Sequence, residues 1–169
     1  MLLRKQLWWT FLALMVQILI LNRINLLGYA TPFFFIYIIL ILDTKKNPAV
    51  RMLWGFFMGL VVDVFSNTPG MHAASLTLLA FIQPALLGLF AHYDKRILFE
   101  PAVENINTRQ YVFYLILGTL IHHTAYFLLR NFSLYDFSHL LLEILLSTLL
   151  SVLLMVAFEY AFRVKRRRR

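Results

Sequence analysis

Residues 72–91 run for twenty positions without an Asp, Glu, Lys or Arg. A bilayer's hydrocarbon core, roughly 30 Å thick, takes about 20 apolar residues in a helix. No water is available there to backbone N–H and C=O groups, so a spanning segment must satisfy them internally. The run is not alone: 61% of the 169 residues are hydrophobic, and mean hydropathy is +0.74. These observations predict an all-α integral membrane protein, a bundle of about six transmembrane helices forming a single transmembrane domain over residues 1–169. The expected spans are about 6–22, 26–42, 50–66, 72–91, 110–129 and 138–162. The longest polar stretch, 92–110, has room for a short interfacial helix and not for a soluble domain.

The start of the chain, MLLRKQLWWTFLALMVQILI, has the basic-then-apolar order of a signal peptide. It lacks a small-x-small cleavage site, so a retained first span is expected. The first two spans share the short connection NRIN (22–25), and Pro32 falls in the first turns of the second, where proline is best tolerated. The third and fourth are joined by SNTPG (66–70), a turn signal.

Lys and Arg then set the orientation, because they concentrate on the cytoplasmic side. With the N-terminus inside, 14 of the 16 basic residues are cytoplasmic and only Arg23 and Arg130 lie outside. Six spans with both termini cytoplasmic follow. Lys45, Lys46, Arg51, Lys165, Arg166, Arg167, Arg168 and Arg169 make a basic cytoplasmic face, the last five within a basic tail (163–169) that also attracts anionic lipid. Trp8, Trp9, Trp54, Tyr93, Tyr111 and Tyr160 fall at the inner boundary, as an aromatic belt does. Topology thus accounts for the net charge of +8 without nucleic acid as a partner.

One span carries a charge. Gly55, Gly59 and Asp63 follow one another at steps of four, so they share a helix stripe, drifting about 40° per step. Gly-x-x-x-Gly lets a second helix backbone approach closely. Asp63 lies 12 residues beyond Arg51, about 18 Å along the helix and past the midplane. A carboxylate at the bilayer centre costs about 2.5–3.5 kcal/mol on insertion scales, so Asp63 should point into the bundle. His122, His123, Arg130 and Glu143 are the candidate polar partners, and Ser147 and Ser151 extend Glu143 into a polar stripe. Three roles stay open: helix packing through a His or Arg pair, a partner-binding face, and a transport or proton-relay site.

Little else points to chemistry. The absence of cysteine excludes disulfides and thiol nucleophiles. His122 and His123 are adjacent, which is poor metal-ligand spacing; His72, His92 and His139 sit at span ends and read as solvated interfacial residues. Gln17 and Gln83-Pro84 read as packing and kink features, and Arg163 stands at i+4 to neutralise Glu159. No catalytic constellation, metal site or cofactor is expected.

Pro32, then Arg51, Gly55, Gly59, Asp63 and Gly70-x-x-Ala73, set in a chain of this length and span pattern, resembles the rod shape-determining MreD family over nearly its whole length. The resemblance implies a non-enzymatic subunit of the bacterial cytoplasmic (inner) membrane. Its partners would be an MreC-like single-span protein, an MreB-like filament, a RodA-like polymerase and a penicillin-binding protein, which together direct peptidoglycan synthesis and cell shape. It also implies a fold like the substrate-binding membrane subunits of vitamin transporters, which keeps a transporter component as the alternative.

Overall fold

The computed structural model describes residues 2–24, 30–44, 47–90, 107–131 and 136–164. Lys45, Lys46, Lys165, Arg166, Arg167, Arg168, Arg169, His92 and Tyr93 lie outside them, as does the side chain of Arg163. Six α-helices occur among the described residues: α1 (Leu2–Leu19), α2 (Ile36–Leu40), α3 (Pro48–Ser66), α4 (Met71–Phe90), α5 (Thr108–Arg130) and α6 (Phe137–Phe158). A 3-10 turn, Leu21–Arg23, follows α1, and a π-helical turn, Glu159–Val164, extends α6.

The helix starts carry their own signals. Asn47 accepts from the Ala49 N–H at 2.9 Å and is followed by Pro48, which has no N–H to satisfy. Asn107 does the same for Arg109 N–H at 3.2 Å, and Asp136 for His139 N–H at 3.2 Å. The end of α3 is sharp because Asn67 takes the left-handed conformation (φ 55°) and Gly70 follows at φ 77°, which a residue with a Cβ adopts only under strain.

Four helices, α3, α4, α5 and α6 with its extension to Ala161, are long and apolar enough to cross a membrane. A shorter apolar stretch, Leu7–Arg23, runs from α1 through the 3-10 turn. The side chains are sorted as in a bundle whose solvent is hydrocarbon. Along α6 the outward face is Leu141, Leu142, Leu145, Leu146, Leu149 and Leu153, while Glu143, Ser147, Thr148 and Ser151 are buried. On α3, Leu53, Phe56, Phe57, Leu60, Val64 and Phe65 face out, while Arg51, Gly55, Gly59 and Asp63 face in.

The expected second span does not form as a spanning helix. Among its described residues the only α-helix is the five residues of α2, about 7.5 Å of rise, preceded by a non-helical stretch, 30–35. Pro32 lies in that stretch rather than in a first helical turn. A proline supplies no N–H and pushes the preceding residue, here Thr31, away from helical geometry. Non-helical backbone is tolerated at membrane depth only where protein buries it, and this segment is the core. Phe35, Ile36, Ile39 and Leu40 are fully buried, and α2 packs against α4 and α5 and also touches α1. Around it α3 packs on α4, α4 on α5, α5 on α6, and α1 on α3.

Candidate functional site

The glycine stripe is the seam between α3 and α4. A Cβ on Gly59 would lie 2.5 Å from Ala73 N and Cα, and one on Gly55 would lie 2.8 Å from the Leu76 carbonyl oxygen. The backbones therefore meet with no side chain between them. Asp63 continues the seam one turn on, where α4 begins. Its Oδ1 accepts from the Thr68 hydroxyl (2.8 Å) and His72 N–H (2.9 Å), and its Oδ2 accepts from Ala73 N–H (2.9 Å). The carboxylate thus closes the first turn of α4, where unpaired N–H groups and the helix dipole favour an anion. Hydrogen bonds to a charged group contribute about 1.5–3 kcal/mol each, so three of them offset an insertion penalty of about 2.5–3.5 kcal/mol. The expected partner class is a His or Arg side chain; the carboxylate instead meets two backbone N–H groups and the Thr68 hydroxyl. The clue was the short turn, which brings the last turn of one helix beside the first turn of the next.

Arg130 and Glu143, offered from sequence as partners of Asp63, meet each other. Glu143 Oε1 lies 3.8 Å from Arg130 Nη1 and 3.8 Å from His139 Nδ1, and its Oε2 accepts from Asn131 Nδ2 at 3.3 Å. This cluster ties the end of α5 to the start of α6. Half-exposed Arg130 and His139 frame a carboxylate that is itself buried.

The stretch 30–35 is held by side chains from elsewhere. Ser147 Oγ accepts from Thr31 N–H (3.0 Å) and Ser151 Oγ from Phe33 N–H (2.9 Å). Gln17, fully buried on α1, accepts from Phe34 N–H through Oε1 (2.8 Å) and donates through Nε2 to the Pro32 carbonyl (2.9 Å) and to Asn22 (2.9 Å). Asn22 in turn donates to Ser66 Oγ at 2.9 Å. The far end of α2 is bound the same way: Tyr114 donates to the Leu40 carbonyl (2.7 Å) and Gln83 to the Leu42 carbonyl (2.8 Å). Ser147 and Ser151 of α6, Gln17 of α1 and Gln83 of α4 are therefore backbone ligands for the core segment.

At the opposite end from Asp63, Glu159 is buried and its Oε2 accepts from the hydroxyls of Tyr37 and Tyr111. Tyr hydroxyls thus meet this carboxylate, while the side chain of Arg163, its expected partner, lies outside the described residues. Tyr111 is fully buried and not part of an exposed aromatic belt, whereas Trp8 and Tyr160 are exposed. Arg51, expected on the basic cytoplasmic face, is 3% exposed, and its Nη1 donates to the Thr44 carbonyl at 2.7 Å. It fastens the connection into α3.

His72, His122 and His123 are all buried, against the expectation of a solvated His72. They gather around Phe33: its ring centroid is 4.8 Å from that of His72, 6.1 Å from His122 and 5.1 Å from His123. Tyr126 stacks on His72 at 4.1 Å. His123 Nδ1 donates to the Thr119 carbonyl at 2.8 Å. His72 Nδ1 and both nitrogens of His122 have no hydrogen-bond partner among the described residues. Among the described residues no group of three His, Cys, Asp or Glu is arranged to hold a metal ion. Sequence reasoning weighed His122 and His123 as partners for Asp63; the cluster they form with His72 needs the fold, because Phe33 gathers it from a segment with no helical period. His139 alone of the described histidines keeps the exposed position expected of it.

No family model, no curated protein and no solved structure matches this chain.

Proposed function

We propose that this protein is a non-enzymatic membrane scaffold of the bacterial cell-elongation machinery, seated in the inner membrane with both termini cytoplasmic. It helps position peptidoglycan synthesis and maintain cell shape. The observation that supports this reading is the use made of four of the residues on which the resemblance to MreD rests. Gly55, Gly59, Asp63 and Gly70 all serve to lock α3 against α4 and to turn the chain between them. A subunit whose marked residues build a rigid hairpin suits a role in holding partners. The outward Phe and Leu faces of α3 and α6 give an MreC-like single-span helix apolar surface to lie against. The basic face is then turned toward the MreB-like filament. The test is a crosslinked pull-down of the tagged protein from native membranes, read by mass spectrometry. Enrichment of an MreC-like protein, a RodA-like polymerase or a penicillin-binding protein is expected. Recovery of a coupling subunit and its ATPases would overturn the scaffold.

A second reading, the substrate-binding membrane component of a vitamin-type transporter, is favoured by the interrupted second segment. Discontinuous segments near the bilayer midplane form the binding sites of many transporters. A small molecule that survives purification and protects the protein against thermal unfolding is its expected signature.

A further inference from the structure

His122 lies on α5 with both ring nitrogens buried and without a partner among the described residues. His72 Nδ1, from the first turn of α4, is in the same condition. Buried polar atoms are nearly always paired, with protein or with ordered water. The neutral imidazole of His122 has one N–H and one lone pair, so whatever completes it must both accept and donate. A cation would meet only the lone pair and an anion only the N–H. The rings also do not converge on an ion: His72 and His122 lie nearly parallel, 16° between planes, with centroids 6.0 Å apart. Water is the smallest molecule that gives and takes hydrogen bonds together, and buried water characteristically links groups that have no other partner.

We propose that the cluster of His72, His122 and His123, walled by Phe33 and Tyr126, is a binding site for ordered water enclosed within the bundle beside the α3–α4 turn. This holds whichever partners the protein has, since it concerns the bundle alone. The water completes the imidazoles and joins α4 to α5 across a surface otherwise made of ring contacts.

X-ray radiolytic footprinting of the intact protein in detergent tests it, because hydroxyl radicals made from bound water modify the side chains beside that water. Tyr114 is the control: it is a fully buried tyrosine whose hydroxyl already has the Leu40 carbonyl. Phe33 and Tyr126 are expected to be modified several-fold faster than Tyr114. After rapid mixing with H2(18)O they should keep incorporating the light isotope while surface residues take the heavy one. Modification no faster than Tyr114 would show a dry cluster and overturn the proposal. Immediate uptake of the heavy isotope would show bulk solvent instead of held water and overturn it as well. So would a transition metal recovered at one per chain and lost on chelation. His122→Phe, which keeps a ring and removes both nitrogens, should bring modification of Phe33 and Tyr126 down toward the Tyr114 rate. An unchanged footprint in a folded variant would count against the site.

Discussion

The α3–α4 hairpin and the segment from Ala30 to Thr44 sit side by side in one bundle and are held by opposite means. In the hairpin the backbone bonds are helical, the turn is local, and the seam is closed by glycines and by one carboxylate at the end of the same hairpin. In the core segment the N–H groups of Thr31, Phe33 and Phe34 go to side chains 116, 118 and 17 positions away. A spanning element can carry its own hydrogen bonds, or it can be short and irregular if its neighbours supply them. The first kind tolerates little at its seam. The second depends on several remote residues, each of modest weight.

Substitutions can break this contrast. Gly59→Leu should be the most damaging, because its Cβ alone meets Ala73 backbone at 2.5 Å and backbone cannot rotate away. Overpacking costs about 1–3 kcal/mol even where side chains can yield, so no folded species is expected on size-exclusion chromatography. Gly55→Ala, facing the Leu76 carbonyl at 2.8 Å, should fold with reduced stability. Equal, wild-type behaviour of the two would remove the seam from the account. Next is Asp63→Leu, which leaves His72 and Ala73 N–H groups unpaired. A loss of about 2–4 kcal/mol in SDS-titrated unfolding is expected, from the cap and the unmade bonds together. Asp63→Asn should lose about half as much, since the amide oxygen can still accept.

The core segment should respond more gently. Gln17→Leu removes the acceptor of Phe34 N–H and the donor to the Pro32 carbonyl at once. A cost of about 1–3 kcal/mol is expected, and Ser151→Ala should cost about 1 kcal/mol. If Gln17→Leu proved as disruptive as Gly59→Leu, the distinction between the two regions would fail. Smallest of all is Pro32→Ala, expected within about 1 kcal/mol of wild type. Amide exchange sharpens the point: protection of residues 33–35 should stay as it was if side chains from α1 and α6 shape the segment. Added helical protection there would instead give Pro32 the leading part.

The hairpin was legible in sequence because its information is local. A four-residue step of Gly55, Gly59 and Asp63 and a turn containing Gly70 define the seam from a single helix, and only the nature of the group meeting Asp63 had to come from structure. The core segment was not legible. Hydropathy measures burial, and a buried irregular chain is as apolar as a helix of the same length. The residues that release it from helical pairing, Gln17, Ser147 and Ser151, lie in other helices. Arg51 and Tyr111 stand in the first turns of α3 and α5, as residues of a helix end do, but each is buried because it has a carbonyl or carboxylate to reach.

The carboxylate at the head of α4 also bears on how the chain enters a membrane. While α3 is the last helix made, Asp63 has no N–H group to meet, and a lone carboxylate facing hydrocarbon costs up to about 2.5–3.5 kcal/mol. The penalty is relieved once His72 and Ala73 have emerged and begun to coil. Membrane entry of α3 is thereby tied to the synthesis of its successor, and the two helices are expected to leave the insertion machinery as a pair.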